Sequence, residues 1–167
     1  NGAGKSTLLN LIAGVHSTDT GSIFLDGLDL TDMPEFKRAK YLGRVFQDPM
    51  MGTAANMSIE ENLAMAYRRG KRRGLAWYIK NSEKEFYREK LALLDLGLEN
   101  RMQAKVGLLS GGQRQALTLL MSCLQKPEVL LLDEHTAALD PKTAQKVLEL
   151  TEEFVQKDHL TTFMVTH

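Results

Sequence analysis

The first seven residues, Asn1-Gly2-Ala3-Gly4-Lys5-Ser6-Thr7, constrain the fold of this chain more than any other stretch. They match the end of the P-loop pattern, in which a glycine and four variable residues precede Gly-Lys-Ser/Thr. Such a loop directs backbone N–H groups and the positive end of a helix dipole at one spot, which favours an anion of phosphate size. In this pattern Lys5 reaches the β- and γ-phosphates and the Ser6 hydroxyl is a ligand for Mg²⁺. The sequence therefore predicts a phosphate site followed by a helix that stops at Gly14.

A continuous apolar run at residues 129–132 is typical of a strand buried on both faces of a parallel sheet. The run ends at Asp133 and Glu134, and in open α/β sheets ligands bind at the carboxyl ends of the strands. The pattern therefore predicts an α/β fold with two acidic residues at its binding edge. Further strands are predicted at residues 22–25, 41–46 and 161–165, the first followed by a turn at residues 26–27.

Capping signals and apolar spacing predict the helices. Ser58 and Ser82 each have the capping-box spacing and open segments rich in Leu, Ala, Glu and Lys. Another helix opens at residues 109–113 and is ended by Pro127, and the last one follows the N-cap Asp140. The predicted buried positions are Leu8, Leu9, Leu11 and Ile12 in the first helix, Leu117, Leu120, Met121 and Leu124 in the helix after residue 113, and Val147, Leu150 and Phe154 in the last.

The composition excludes several classes of protein. The formal net charge is zero, so nothing global indicates a nucleic-acid partner, and none is expected. The single cysteine, Cys123, excludes an internal disulfide framework, fits a reducing compartment and is predicted to be a small core residue. No apolar run approaches the roughly 18–20 residues of a membrane span, and no signal peptide is present, so the chain is expected not to cross a membrane.

A basic run occupies residues 68–74, of which five are Lys or Arg. One interpretation is a solvated surface turn, as most such runs are. The alternative is a contact with anionic lipid headgroups or a membrane partner, which the following Trp77 and Tyr78 favour. The sequence leaves both interpretations open.

Five further motifs follow the P-loop: Gln47 after a strand, Ser110-Gly111-Gly112-Gln113, Asp133-Glu134 after the apolar run, Ala138-Leu139-Asp140, and His167 at the end. In this order they resemble the nucleotide-binding (ATP-binding) domain of ABC transporters over essentially the whole chain. The resemblance implies a P-loop NTPase (RecA-like) α/β core with a mostly parallel sheet, an inserted α-helical signature subdomain and a small antiparallel β element. It implies that the core comprises residues 1–48 and 127–167 and the helical subdomain residues 49–126.

The resemblance also implies that the chain is a fragment, because the family has strands before the P-loop, with an aromatic residue that stacks on adenine. The absence of an initiator methionine is consistent with this expectation. His16 and His159 are expected at the surface. His135 stands where many relatives carry proline, and two interpretations remain: a packing variant, or a group that titrates near neutrality beside a carboxylate.

The residues that match the family motifs acquire roles by resemblance. The ATP-binding residues would be Asn1, Gly2, Ala3, Gly4, Lys5, Ser6, Thr7, Gln47, Asp133 and Asp140, together with Ser110, Gly111, Gly112 and Gln113, which cap the ATP bound to the other subunit. The Mg²⁺ ligands would be Ser6, Gln47 and Asp133. The catalytic residues would be Lys5, Gln47, Glu134 as the base that polarises the hydrolytic water, and His167 at the γ-phosphate.

The implied function is that of an ATPase subunit at the cytoplasmic face of the cell membrane. It would bind and hydrolyse ATP with Mg²⁺ as a head-to-tail homodimer, drive membrane permease subunits, and act indirectly with a solute-binding protein. Residues 133–140 and the basic run resemble a bacterial importer group whose cargo is a small solute such as an aromatic amino acid. The alternatives are a soluble ABC-class ATPase outside transport and an inactive nucleotide-binding regulatory module. The gap of 62 residues between Gln47 and Ser110 favours a transporter. Intact Lys5, Asp133, Glu134 and His167 argue against an inactive module.

Overall fold

The computed structural model describes residues 4–71 and 78–166. The α-helices in this part are α1 (Lys5–Ala13), α2 (Glu35–Arg38), α3 (Ile59–Tyr67), α4 (Asn81–Ala92), α5 (Gly111–Cys123) and α6 (Pro141–Asp158). The strands are β1 (Phe24–Leu25), β2 (Leu28–Asp29), β3 (Leu42–Val45), β4 (Val129–Asp133) and β5 (Thr161–Val165). Short 3₁₀ turns lie at Leu98–Asn100 and Val106–Leu108.

The main sheet is parallel, with the order β3-β4-β5, and β1 and β2 form a separate antiparallel pair. β4 lies in the centre because its leucines are buried on both faces, as the apolar run predicts. Leu131 packs with Leu9 and Ala13 of α1 on one face. Leu130 and Leu132 pack on the other face, with α5 and α6. The expected α/β architecture and the small antiparallel element are therefore confirmed.

Most of the predicted helix starts are confirmed. Ser58 and Glu61 form a capping box, with the Ser58 N–H 2.7 Å from Glu61 Oε2 and the Glu61 N–H 3.2 Å from Ser58 Oγ. Asp140 caps α6 by accepting the Thr143 N–H at 3.1 Å. Gly14 ends α1 with a φ of 82°, a backbone conformation that glycine adopts without strain.

The predicted cap at Ser82 is wrong. α4 begins at Asn81, and the preceding Lys80 N–H donates to Glu83 Oε2 at 2.8 Å. The Glu83 carboxylate also accepts from Arg68 at 3.1 Å. Because Glu83 is fixed by both partners three residues after Lys80, it sets the helix start ahead of Ser82.

Two predicted buried faces are wrong in extent. In α1 only Leu9 of the four predicted positions is buried, while Leu8 is 44% exposed, because one narrow stripe of this helix faces the sheet. In α5, by contrast, Gly112 and every residue from Arg114 to Cys123 are buried. That helix packs against β3 and the helices α3, α4 and α6, so its burial extends beyond the face that the apolar spacing marks. Val147, Leu150 and Phe154 of α6 are buried as predicted.

None of the helices in the described ranges, 4–71 and 78–166, is long and apolar enough to cross a membrane.

Candidate active site

The start of α1 lies at the carboxyl ends of the parallel strands. Lys5 Nζ is 3.4 Å from the carbonyl oxygen of Thr166, the residue after β5. The Ser6 hydroxyl is 3.4 Å from Oδ1 of Asp133, the last residue of β4. The structure therefore brings the P-loop helix and the acidic strand end to the edge at which α/β sheets bind ligands.

The P-loop backbone is suited to an anion. Gly4 precedes α1 in the left-handed region with a φ of 74°, where a side chain would be strained. Residues 4–7 are exposed. The N-cap residue, Gly4, has no side chain with which to cap the first N–H groups of the helix. The first N–H groups of a helix have no partner within the helix, so they are available to a phosphate. Residues 1–3 of the predicted loop lie outside the described residues, as does His167.

Glu134 follows β4 in an uncommon backbone conformation. Its φ is 44°, in the left-handed region, which costs a residue with a side chain on the order of 1 kcal/mol. The Glu134 N–H donates to the carbonyl oxygen of Val165 at 3.0 Å, which extends the bonding between β4 and β5 by one residue. The main chain is thereby held in position while it turns sharply after Asp133.

Gln47 and Asp133 line the same open cleft, here called the Gln47 cleft, with a volume of about 690 Å³. Arg44 lies in its wall, where Nη2 donates to Asn10 Oδ1 of α1 at 2.7 Å. Burial lowers the pKa of the Arg44 guanidinium, and the nearby Asp133 carboxylate opposes that shift. The cleft therefore brings together Gln47, the strand-end carboxylate of Asp133 and the half-buried cation of Arg44.

The residues at this edge fit Mg²⁺ bound together with phosphate. Ser6, Asp133 and Gln47 offer the hard oxygen ligands that Mg²⁺ prefers. Among residues 4–71 and 78–166, no group of three or more His, Cys, Asp or Glu side chains is placed to hold a metal by itself. One carboxylate with a hydroxyl is the usual protein contribution when substrate phosphates complete the coordination.

The predicted signature residues have structural partners of their own at the start of α5. Ser110 and Gln113 form a capping box, with both hydrogen bonds at 3.2 Å. A methyl group on Gly112 would meet Cγ2 of Thr143 in α6 at 1.9 Å, so this glycine permits close packing of the two helices. The S-x-x-Q spacing of residues 110–113 is the sequence signal for this capping box.

The structure does not bring the signature residues to the P-loop within one chain. Across the described ranges, no hydrogen bond or ion pair joins residues 110–113 to α1. Asp140 is likewise occupied as the N-cap of α6. The predicted ATP-binding residues thus form two groups, one at the P-loop edge and one at the start of α5 and α6.

His135 is a buried side chain, only 1% exposed, with Nε2 3.1 Å from Thr151 Oγ1. Burial lowers its pKa to about 4. The interpretation that it titrates near neutrality is therefore wrong, and the packing role accounts for its position. Cys123 is buried as predicted, and His16 and His159 are exposed as expected.

The described part of the basic run is held against the protein. Arg68 pairs with Glu83 at 3.1 Å, and Arg69 is half-buried and donates to the carbonyl oxygen of Ser122 at 3.2 Å. The Lys71 ammonium lies 3.9 Å from the centroid of the Tyr67 ring. A freely solvated turn therefore does not describe these residues, and 72–77, including Trp77, lie outside the described residues.

A P-loop helix set over the carboxyl edge of a parallel sheet, beside an acidic strand end, defines a P-loop nucleotide-binding domain. The family model described as "ABC transporter" matches residues 1–137. The chain belongs to the ABC transporter family, as its motif order predicts.

Known proteins agree with this assignment. The tyrosine transport ATP-binding protein of Clostridioides difficile is 47% identical over all of this chain and 66% of that protein. The thiamine import ATP-binding protein ThiQ of Escherichia coli is 34% identical over all of this chain and 67% of that protein. The methionine import ATP-binding protein MetN of Bartonella henselae is 33% identical, and the chain covers 46% of it. The chain thus spans between about half and two thirds of the length of these relatives.

Solved structures confirm the fold. An ATP-binding cassette of an ABC transporter in its ADP conformation superposes with a TM-score of 0.80 at 27% identity, over all of this chain and 67% of that one. A dimeric cassette in a post-hydrolysis state, bound to ADP and Pi, superposes with a TM-score of 0.79 at 27% identity, over 98% of this chain and 70% of that one.

Proposed function

We propose that this chain is the catalytic part of an ABC transporter ATPase subunit, which binds and hydrolyses ATP to drive solute import through a membrane permease. The observation that carries the proposal is the approach of Ser6 to Asp133, at 3.4 Å, with Lys5 at the same edge. This arrangement combines a cation, a hydroxyl and a carboxylate where a triphosphate would lie. Phosphoryl transfer needs positioning and charge stabilisation rather than covalent catalysis, and these groups are of the kinds that supply both.

Within this proposal each residue has a defined task. Residues 1–7 bind the phosphates, with the Lys5 ammonium opposing their charge. Ser6, Asp133 and Gln47 would hold Mg²⁺, which would supply positive charge to the transferred phosphoryl group. Glu134 orients the hydrolytic water and accepts its proton, and His167 contacts the γ-phosphate.

The second group of predicted residues supports a head-to-tail dimer. Ser110, Gly111, Gly112 and Gln113 start α5 without a bond to α1, so a second copy of the chain is the natural source of the nucleotide they contact. Asp140, at the start of the adjacent α6, belongs to the same surface. The related cassette solved with ADP and Pi is described as dimeric, which agrees with this arrangement.

An exposed apolar surface supports a permease partner. Phe36 and Met65 are largely exposed and line a groove of about 480 Å³, here called the Phe36 groove. Arg44 and Phe46 border both this groove and the Gln47 cleft. A permease segment in the Phe36 groove would therefore lie next to Gln47. We propose that the subunit binds there peripherally, at the cytoplasmic face of the membrane.

Movement of one part of the chain against the other would couple the ATP-binding surface to the Phe36 groove. We propose that residues 49–126 act as a helical subdomain against a core of residues 1–48 and 127–167, with Gln47 at their junction. ATP bridging two subunits favours closure, and hydrolysis releases it, as when γ-phosphate contacts hold switch segments in other NTPases.

The cargo is proposed to be a small solute, with an aromatic amino acid favoured by the 47% identity to a tyrosine transport ATP-binding protein. A solute-binding protein and the permease would select it, so the ATPase subunit acts on the cargo indirectly.

Phosphate release from Mg-ATP by the full-length protein, alone and with its permease, tests the proposal. Lys5→Ala should abolish ATP-dependent release, because the phosphates lose their cation. Lys157→Ala, which removes an exposed lysine near the end of α6, is the matched control and should leave release unchanged. No release by the unmodified protein in either setting would refute the proposed activity.

A further inference from the structure

The Gln115 side chain bridges two segments that carry proposed catalytic residues. It lies on α5 with 0% exposure. Its Nε2 donates to the carbonyl oxygen of Phe46 at 2.9 Å and to that of His135 at 2.6 Å. Phe46 immediately precedes Gln47, and His135 immediately follows Glu134. One amide group therefore contacts the main chain next to both residues.

The bridge lies where the strands no longer bind each other. The hydrogen-bonded pairing of β3 with β4 ends at Val45 and Leu132. Beyond that pair the two main chains enter the walls of the Gln47 cleft. An amide nitrogen carries two N–H donors, and each of these carbonyls takes one. Gln115 thus supplies the connection that the sheet no longer provides.

The residues on either side of the bridge need such support. Glu134 has a left-handed backbone, with a φ of 44°, which persists only where surrounding contacts fix it. Gln47 is exposed and lies in a loop, so its position depends on the main chain that precedes it. A buried carbonyl without a hydrogen-bond donor costs free energy. Each of the two segments is therefore more stable when its carbonyl stays within hydrogen-bond distance of Gln115.

We propose that Gln115 is a positioning residue for ATP hydrolysis, which fixes the spacing of Gln47 and Glu134 through their neighbouring carbonyls. The inference rests on the proposed ATPase function. Because Gln115 lies on the helix that Ser110 starts, any displacement of that helix is transmitted to both catalytic segments at once. Gln115 does not itself contact the nucleotide.

The first test compares Gln115→Met with Gln125→Met in the full-length protein. Methionine keeps the length of the side chain and removes its donors. Gln125 is the matched control, because its Nε2 also donates to a main-chain carbonyl, that of Tyr67, away from the Gln47 cleft. For Gln115→Met we expect kcat per folded molecule to fall about tenfold to hundredfold, since small misplacements of reacting groups have effects of this size. ATP affinity should stay within about threefold, and Gln125→Met should leave kcat within about twofold.

The second test separates positioning from general stability. Glu134→Gln is expected to lower single-turnover hydrolysis by about 10²- to 10⁴-fold while ATP binding persists. Adding Gln115→Met to that variant should lower hydrolysis by less than about threefold further, because the base that Gln115 positions is already gone. Fully multiplicative losses would show that Gln115 does not act through Glu134 and would overturn the inference.

Folding is monitored by circular dichroism in every variant. If Gln115→Met does not fold, Gln115→Asn replaces it, because its amide stays polar but is too short to reach both carbonyls. Unchanged kcat in the folded variant overturns the inference while the unmodified protein remains active. If the unmodified protein releases no phosphate, the proposed ATPase function is refuted instead. The two failures are therefore distinguishable.

Discussion

The hydroxyl of Ser6 lies 3.4 Å from Oδ1 of Asp133, although 127 positions separate the two residues in the chain. This distance is long for an O–H···O hydrogen bond, whose usual length is about 2.7–2.8 Å. The two oxygens are therefore close but do not form a strong hydrogen bond with each other, so both can bind a third partner. Their position at the carboxyl edge of the sheet makes Mg²⁺ bound to a triphosphate the partner that fits.

Asp133→Asn should weaken the binding of Mg²⁺ more than the binding of the nucleotide. The substitution preserves shape and removes the negative charge that Mg²⁺ requires. We expect the Mg²⁺ concentration for half-maximal hydrolysis to rise at least about tenfold, while ATP binding without Mg²⁺ changes little. Titration of phosphate release with Mg²⁺ measures this. An unchanged Mg²⁺ dependence would exclude Asp133 as a ligand, and Asp26→Asn, in an exposed turn, serves as the control.

Gly112→Ala should destabilise the packing of α5 on α6, because the added methyl would meet Thr143 Cγ2 at 1.9 Å. Overpacking of this kind costs about 1–3 kcal/mol in the free energy of unfolding. Thr143→Ser removes the opposing methyl and keeps the main-chain N–H that Asp140 accepts. The double variant should therefore be more stable than Gly112→Ala in urea unfolding. Equal stability of the single and double variants would mean that this contact is not what excludes a side chain.

Arg38→Met should destabilise the protein by about 2–4 kcal/mol, because buried carbonyls lose a charged donor. Arg38 is only 2% exposed. Its guanidinium donates to four main-chain oxygens at 2.6–3.0 Å, those of Leu11, Ile12, Thr31 and Met33. Two of them belong to the last turn of α1, where a cation also opposes the helix dipole.

The free energy of unfolding in urea measures the effect of Arg38→Met. Arg88→Met, at an exposed position of α4, should change it by less than about 0.5 kcal/mol. If both variants are equally stable, the Arg38 network does not hold α1 in place.

Cys123 should resist alkylation in the folded protein. The side chain is 6% exposed, and burial raises the pKa of its thiol to about 11. A raised pKa favours the neutral thiol, so at pH 8 about one molecule in a thousand carries the reactive thiolate. Iodoacetamide at pH 8 should label the protein rapidly in urea and at least about a hundred times more slowly in buffer. Similar rates in the two conditions would contradict the buried position.

The parts of the fold that sequence predicts are those set by local chemistry. The β4 run, the Ser58 capping box and the Asp140 cap depend on residues within a few positions of one another, and all three are confirmed. The cap at Ser82 is wrong because Glu83 binds Arg68, a residue 15 positions earlier in the chain. A partner at that distance leaves no spacing signal around the helix start.

The candidate site was predictable where local motifs mark it and not where its residues depend on distant partners. The P-loop and the strand-end carboxylates could be placed at one edge, because parallel strands share the direction in which their carboxyl ends point. Gln115 and Arg38 could not be found, because glutamine and arginine in helices are usually exposed and their carbonyl partners come from other segments. The burial of α5 on its other sides concealed Gln115 further, because the apolar spacing of Leu117, Leu120 and Met121 marks only one face of that helix.

We propose that two copies of this chain enclose ATP between the Lys5 loop of one and the Ser110 motif of the other. Size-exclusion chromatography with light scattering, applied to the full-length Glu134→Gln protein with and without Mg-ATP, tests it most directly. The substitution slows hydrolysis and so preserves the closed state. We expect a monomer without nucleotide and a dimer with Mg-ATP. A monomer at saturating Mg-ATP, both alone and with the permease subunits present, would contradict it.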